Sequence, residues 1–327
     1  MAIRCDCVYL APKSLFPTSL PSDTIFGAIC IGLKEIYGDV ELKKMLALFT
    51  EGTIPFILSS AFPFVGDTTD KHHFFPKPIV EPFEETITDY LDQAKRFKKA
   101  RYVHQRVFNA WINGTLSELD IIKDFDKKYH VSGVLLSHKE EMDLDFRLIV
   151  ADTPHNVLNR LSNKSENFYY STGAYYRNAG LFFLIKYLDE SYRPKIVAAL
   201  RFIEDRGFGG DISSGRGQFE LNFVESTELI KEPEEADAFT TLSLYSPGNE
   251  FNSFDKNRIW YELTKIQGKS SDGSMKKSVF MFKEGSTFPL LDLEFYGCVN
   301  EVRPAPKRVV EYGLAFPVKM KEGVWSS

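Results

Sequence analysis

Five glycines fall within one short segment, Gly207-Phe-Gly-Gly-Asp-Ile-Ser-Ser-Gly-Arg-Gly217. Glycine lets a backbone take positive φ and come close to a partner. Exposed N–H groups in such a loop form anion-binding concavities. Gly207, Gly209, Gly210, Gly215 and Gly217 would offer bare backbone, while Ser213, Ser214 and Arg216 add donors suited to phosphate oxygens. The chemistry this composition supports is the binding of a phosphodiester backbone. A Walker loop would need Gly-Lys-Ser/Thr after its spacer, and a dinucleotide fingerprint would run from strand through glycines to helix. Here a helical pattern precedes the glycines and a strand pattern follows, so no nucleotide cofactor is expected. A plain helix-to-strand turn is the competing reading, although short turns rarely need this many glycines.

Three more segments carry side chains suited to a polynucleotide. Ser22-Asp23-Thr24 opens a helical pattern, and its free N–H groups would meet a phosphate beside Ser22 and Thr24. Ordinary capping by Ser22 or Asp23 competes with that reading, and Asp23 repels an anion. The stretch from Asn156 to Arg177 holds Asn156, Arg160, Lys164, Tyr169, Tyr170, Tyr175, Tyr176 and Arg177. Such aromatic and basic mixtures hold single-stranded RNA, with stacking worth about 1–3 kcal/mol per base; packing alone also explains tyrosines. The run Lys95-Arg-Phe-Lys-Lys-Ala-Arg101, continued by His104 and Arg106, either follows an RNA backbone or forms a solvated helix face.

The histidines (His72, His73, His104, His130, His138, His155) show no H-E-x-x-H spacing, and Cys5, Cys7, Cys30 and Cys298 form no C-x-x-C pair. No metal site is expected. Cys5 and Cys7 share one face of a strand and read as buried thiols. A histidine acting as general base in metal-free RNA cleavage stays open. A Gly-x-Ser-x-Gly elbow is missing, so serine hydrolysis has no support.

The chain has 327 residues, 43% hydrophobic and 26% charged, which suits two domains and allows one large one. Its 28 phenylalanines and 15 tyrosines are an aromatic surplus. A net charge of −5 is the reverse of what a free-standing nucleic-acid binder carries. The basic residues must then gather on one face, or the chain must meet RNA inside a larger assembly. Met1-Ala2-Ile3-Arg4 lacks the apolar run of a signal peptide, and no stretch is long enough to span a bilayer. A cytoplasmic protein with no membrane contact is expected.

The elements that position these residues follow from periodicity. Ile3 to Leu10 reads as a strand; Ile25, Ile29, Leu33 and Ile36 then predict a helix that stops at Gly38. A second short helix covers 41–49, a strand 55–62 and a loop 63–82. Helices are predicted over 87–97 and 108–112, and strands over 131–136 and 144–150. A strand over 181–188, a helix from Pro194 with Ile196, Leu200 and Ile203 buried, and a strand over 218–224 come next. An acidic connection spans 231–237, followed by strands over 240–245, 278–282, 291–296 and 314–318. Strand, helix and several strands, twice over, predict an α+β chain: two ferredoxin-like (RRM-type) domains with inserted loops and hairpins. The expected domains are residues 1–165, with an insertion, and residues 166–327, carrying the glycine-rich loop.

At these residues the sequence resembles the RAMP superfamily of CRISPR proteins, and within it the family of fourth Csm subunits of type III-A effector complexes. The likeness rests on Ser22-Asp-Thr-Ile-Phe-Gly-Ala-Ile29, Leu58-Ser-Ser-Ala-Phe-Pro63, Phe74-Phe-Pro-Lys-Pro78 and the glycine loop, with support from 156–160 and the Tyr-rich stretch to Leu181. It implies two RRM-type domains that hold the 5′ repeat-derived handle of the guide RNA (crRNA). It also implies a large polymerase-like CRISPR subunit on one side and a backbone RAMP subunit on the other. The backbone subunit cleaves target RNA, which this chain would meet only indirectly. Members of the group are not nucleases. Asp211 departs from the pattern, since an acid in a phosphate-facing loop must point away or pair with a cation such as Arg216. The rival reading is a metal-independent endoribonuclease that processes precursor crRNA with His73 or His104; a third is a protein scaffold with incidental RNA contact.

Overall fold

The computed structural model describes residues 3–67, 70–82, 88–141, 145–158, 162, 165–209, 215–268, 277–303 and 309–321. Strand β1 (Cys5–Pro12) leads through a proline-bounded turn to helix α1 (Ser22–Glu51). Gly38 (φ 84°, ψ 173°) breaks that helix where its sequence position predicts, and the helical path then resumes. Strands β2 (Phe56–Leu58), β3 (Phe62–Gly66) and β4 (Lys71–Pro76) follow. An inserted lobe comes next: α2 (Leu91–Lys98), β5 (Tyr102–His104), α3 (Gln105–Ile112), α4 (Glu118–Lys123), α5 (Phe125–Lys128), β6 (Tyr129–Ser132) and β7 (Leu135–His138). The chain returns through a long antiparallel ribbon, β8 (Arg147–Leu158) and β9 (Ser165–Arg177). Strand β10 (Ala179–Tyr187), helix α6 (Arg193–Arg206) and strand β11 (Phe219–Thr227) close this part.

One sheet gathers strands from both ends of this run, in the order β11-β1-β10-β3-β4-β5-β7-β6, with β2 also paired to β10. Leu10 of β1 faces Leu181 on one side and Leu221 on the other. With α1 after β1 and α6 after β10, the strands β11, β1, β10 and β3 reproduce the split βαβ, ferredoxin-like order. The expected boundary at 165/166 therefore cuts through a shared sheet. The run β10-α6-β11, read from sequence as the opening of a second domain, completes the first. Local periodicity identifies such a run but not its neighbours across the sheet. The glycine-rich loop, between α6 and β11, belongs to this first unit.

Both faces of the sheet are covered over its central strands β1, β10 and β4, while Glu220, Asn222 and Val224 of β11 stay exposed on the lobe side. On one face lies α6, whose Arg201 guanidinium sits 4.9 Å from the Phe223 ring, and Phe223 is the register partner of Val8. On the other lies the inserted lobe: Phe108 of α3 stacks on Phe75 of β4 at 4.8 Å, and Phe75 meets Phe182 of β10 edge-on at 5.4 Å. Trp111 of α3 is fully buried beside them. RRM-type sheets bind RNA by stacking bases on an open face. Here that face is core.

The remaining strands are β12 (Ala238–Thr241), β13 (Leu263–Ile266), β14 (Val279–Phe282), β15 (Thr287–Pro289), β16 (Gly297–Arg303), β17 (Val309–Leu314) and β18 (Pro317–Met320). β12 pairs with β15 and β18, β13 with β14, and β16 with β17. Phe239, Tyr245, Phe254, Phe288 and Tyr296 form a separate aromatic core. The strand expected over 291–296 is a turn instead. The Tyr296 hydroxyl holds it, donating to the Leu291 carbonyl at 2.6 Å and accepting from the Leu291 N–H at 2.9 Å. Tyr312 of β17 joins the two parts: it packs on Phe26 of α1 at 5.0 Å, and its hydroxyl accepts from the Leu58 N–H at 2.8 Å.

Candidate nucleic-acid interface

The glycine-rich loop has a closed neck. The Gly207 N–H donates to the Ile203 carbonyl at 2.8 Å and so ends α6. The Phe208 N–H donates to the Gly217 carbonyl at 2.9 Å, and the Gly217 N–H to the Leu15 carbonyl at 3.0 Å. Phe208 lies against Phe16 and Phe219, at 6.2 and 6.5 Å between ring centres. Gly217 takes φ 70°, and a Cβ there would lie 1.9 Å from the Phe208 carbonyl oxygen. Only glycine fits that neck. Beyond it, Gly209 and Gly215 are exposed and have open space where a side chain would project.

The ribbon β8–β9 crosses beside this neck. Phe16 and Ala174 exchange backbone hydrogen bonds of 3.0 and 2.8 Å, and Leu15 occupies the space a Cβ on Gly173 would need. Register pairs Arg147 with Arg177, Ile149 with Tyr175, and Thr153 with Ser171. Directly opposed residues at even spacing share a ribbon face, so Arg177, Tyr175 and Ser171 look the same way. Across from them the Arg216 guanidinium donates to the Ser171 hydroxyl. Between loop and ribbon opens a groove of about 540 Å³, lined by Lys13, Ser14, Leu15, Thr153, Tyr175, Gly215 and Arg216. The Lys13 ammonium pairs with Glu220 on β11, both side chains more than half exposed. The Tyr175 ring is 52% exposed. Two cations, bare glycine backbone and an accessible ring thus meet in one place, which is what holding a single nucleic-acid strand requires.

The groove brings together three of the residues singled out from sequence, Gly215, Arg216 and Tyr175. Gly207 and Gly217 are buried and build the neck rather than the surface. Arg177 lies further along the same ribbon face, 3.4 Å from Asp145. Asn156 is exposed near the far end of the ribbon, accepting from the Ser165 hydroxyl at 2.6 Å. Gly210, Asp211, Ser213, Ser214 and Arg160 lie outside the described residues. Lys13, Ser14, Thr153 and Ser171 are additional groove residues. Lys13 and Ser14 follow β1 in a stretch that reads as an ordinary turn, and Thr153 and Ser171 carry neither charge nor ring to mark them.

Ser22 does not belong to an RNA surface. It is fully buried; its hydroxyl accepts from the Leu244 N–H at 3.1 Å, and its own N–H donates to the Ser60 hydroxyl at 2.9 Å. Leu244 and Ser60 plug the start of α1, so a phosphate has no path to Ser22. Thr24 is exposed, but its hydroxyl points to the Asp23 carboxylate at 3.4 Å, an acid that opposes an anion.

The basic run on α2 is partly committed within the lobe. Arg96 pairs with Asp126 at 2.6 Å and Arg106 with Glu141 at 2.7 Å, while Lys95, Lys98, Lys99 and Arg101 face solvent. The histidines of the rival reading are buried. His73 Nε2 lies 2.7 Å from the Tyr9 hydroxyl, and burial pulls its pKa down to about 4. His104 Nδ1 lies 2.8 Å from Glu141, and His104 Nε2 lies 3.2 Å from His72 Nδ1. Burial lowers His104 to about 4 even though Glu141 opposes the shift. Neither ring offers a nitrogen to an RNA strand. Among the described residues, no group of three or more His, Cys, Asp or Glu could hold a metal ion.

Residues 234–320 match the family model described as the CRISPR Csm4 C-terminal domain. The chain is 27% identical to the "CRISPR system Cms protein Csm4" of Thermococcus onnurineus (strain NA1), over 97% of this chain and 98% of that protein. A chain of the Csm3–Csm4 subcomplex in the type III-A CRISPR-Cas interference complex is similar at TM-score 0.69, with 18% identity, covering 97% of this chain and 99% of that one. A chain of the Csm1–Csm4 cassette in complex with cA4 is similar at TM-score 0.62, with 22% identity and 98% of both chains covered. At these identities the structural likeness bears on the fold, and that fold is the α+β, ferredoxin-like one described above.

Proposed function

We infer that this chain is a Csm4-like RAMP protein and works as the RNA-binding, non-catalytic subunit of a type III-A CRISPR (Csm) effector complex. On this reading it links a large polymerase-like subunit of the Csm1 kind to a backbone RAMP subunit of the Csm3 kind, and holds the 5′ handle of the crRNA. Target RNA reaches it only through its neighbours. The curated relative spans nearly the whole chain, and structures of its fold pair Csm4 with Csm1 and with Csm3.

The observation that carries the RNA role is the groove between the glycine-rich loop and the ribbon. The central strands of the sheet are covered on both faces, and the loop side offers a strand an open path. Phosphates would sit between Lys13 and Arg216, with an unstacked base against Tyr175. Lys13 exchanges Glu220 for a phosphate at little cost, because an exposed ion pair is worth about 0–1 kcal/mol. Ser171 holds Arg216 in place before RNA arrives, which lowers the entropy lost on binding.

The same reading divides the chain after β11, so that residues 3–227 form the RNA-gripping unit and the Csm4 C-terminal match begins at 234. It also makes the chain part of a cytoplasmic ribonucleoprotein; no helix among the described residues is long and apolar enough to cross a membrane. The test is the crRNA content of the purified complex after joint Lys13→Ala and Arg216→Ala substitution. Lower occupancy that falls further as salt rises is expected. Unchanged occupancy removes the groove from the RNA path.

A further inference from the structure

We propose that the Thr153 hydroxyl bonds the ribose 2′-OH beside the phosphate that Arg216 holds and so selects RNA over DNA, which rests on the groove's being the RNA path. Residues of β8 alternate between the two faces of the ribbon, and Thr153 stands opposite Ser171 on β9. Ile149 and Ala151 share its face, so Thr153 is the polar member of the three. It is partly buried in the groove wall.

The other polar side chains of the groove are already engaged. The Ser171 hydroxyl accepts from the Arg216 guanidinium, the Ser14 hydroxyl accepts from the Gln218 N–H at 3.0 Å, and Lys13 pairs with Glu220. On the opposite face of the ribbon the Thr172 hydroxyl donates to the Asp152 carboxylate at 2.6 Å. Two groove hydroxyls have no hydrogen-bond partner among the described residues, those of Thr153 and Tyr175. Tyr175 stands four residues beyond Ser171 on β9, about 13 Å along the ribbon at the usual strand rise.

Directly opposed strand residues hold their Cβ atoms about 4.5–5.5 Å apart. Ser171 touches the guanidinium, so Thr153 lies one residue's width from the phosphate that Arg216 would take. The group next to a phosphate along a polynucleotide is its sugar. A ribose 2′-OH both donates and accepts, and so does a threonine hydroxyl. A base on Tyr175 lies too far along the ribbon to be read from here. Threonine also suits a strand for its branched Cβ alone. Valine keeps that shape without the hydroxyl, which makes it the variant that tells the two roles apart.

The full chain would be titrated with labelled single-stranded RNA carrying the 5′ handle, and with the same strand bearing one 2′-deoxy nucleotide at each position in turn. One deoxy position is expected to weaken binding by about three- to tenfold, the worth of one hydrogen bond. Thr153→Val should weaken binding of the all-ribose strand by the same factor and abolish the further loss at that position. Its salt slope should stay as it was, because no charge is lost. Thr153→Ser should behave as the native chain does. A deoxy effect that survives in the valine variant, or no deoxy effect at any position, overturns the proposal. Joint Lys13→Ala and Arg216→Ala substitution then separates this role from that of the groove. Weaker binding in that double variant, with either of those results, rejects Thr153 alone. Unchanged binding rejects the groove, and Thr153 with it.

Discussion

Arg216 and Ser171 belong to different elements, the end of the glycine-rich loop and β9, and the guanidinium donates to the hydroxyl across the groove between them. The serine supplies no charge of its own. Ser171→Ala should therefore weaken RNA binding while keeping its salt slope, whereas Arg216→Ala should weaken binding and flatten the slope by about 0.7. Titrations of handle RNA at several salt concentrations separate the two. Equal slopes in both variants would take Arg216 off the phosphate.

Gly215 and Gly217 both hold positive φ, at 79° and 70°, but only Gly217 has no room. A Cβ at 217 meets the Phe208 carbonyl, while at 215 nothing lies within 4 Å. Gly217→Ala should cost about 2–4 kcal/mol, combining strain with the opened neck. Gly215→Ala should cost about 1–2 kcal/mol, from the positive φ alone. Urea unfolding midpoints give the comparison, and equal losses would deny the neck its structural part.

Tyr175 is the groove's accessible ring. Tyr175→Ala should lose about 1–3 kcal/mol of binding to single-stranded handle RNA, and Tyr175→Phe should retain most of it, because the face of the ring does the stacking. A phenylalanine variant as weak as alanine would assign the residue to hydroxyl contacts instead.

His73 and His104 are held neutral by burial, with native pKa values near 4 against about 6.5 in an unfolded chain. Between those values the unfolded chain binds more protons, so their contribution is complete above about pH 6.5 and is lost as pH falls towards 4. Each is worth up to roughly 3 kcal/mol across that window. Unfolding midpoints at pH 7, 5.5 and 4.5 should fall for the native chain and fall less for His73→Phe. Parallel decline in the two would place the pH sensitivity elsewhere.

Much of the local structure is legible from sequence because its signals are local. The break at Gly38, the helix from Pro194 and the strand before Lys13 all follow from spacing and punctuation. The partners of β1 do not, since a strand's neighbours are chosen by pairing across the whole sheet. That is why β10, α6 and β11 read as a new domain. In the groove, Gly215, Arg216 and Tyr175 stand out by residue type. Lys13 and Ser14 do not, because what sets them at the loop is bonding between segments about two hundred residues apart: the Lys13 N–H donates to the Gln218 carbonyl, the Gln218 N–H to the Ser14 hydroxyl and the Gly217 N–H to the Leu15 carbonyl. Ser22 shows the opposite failure. A helix-start signature says nothing of what is packed beyond that end, and here Leu244 is packed there.

The central place of β1 has a cost during synthesis. Asp6 pairs with Ile185 and Leu10 with Leu221, so a nascent chain carries its first strand without any neighbour until more than half of the polypeptide has left the ribosome, and without its second until about two-thirds has. Throughout that interval Val8 and Leu10 form an unprotected apolar edge, and such late, distant pairing makes folding slow and prone to aggregation. Productive biogenesis should then depend on a chaperone that holds the amino-terminal segment until β10 and β11 emerge.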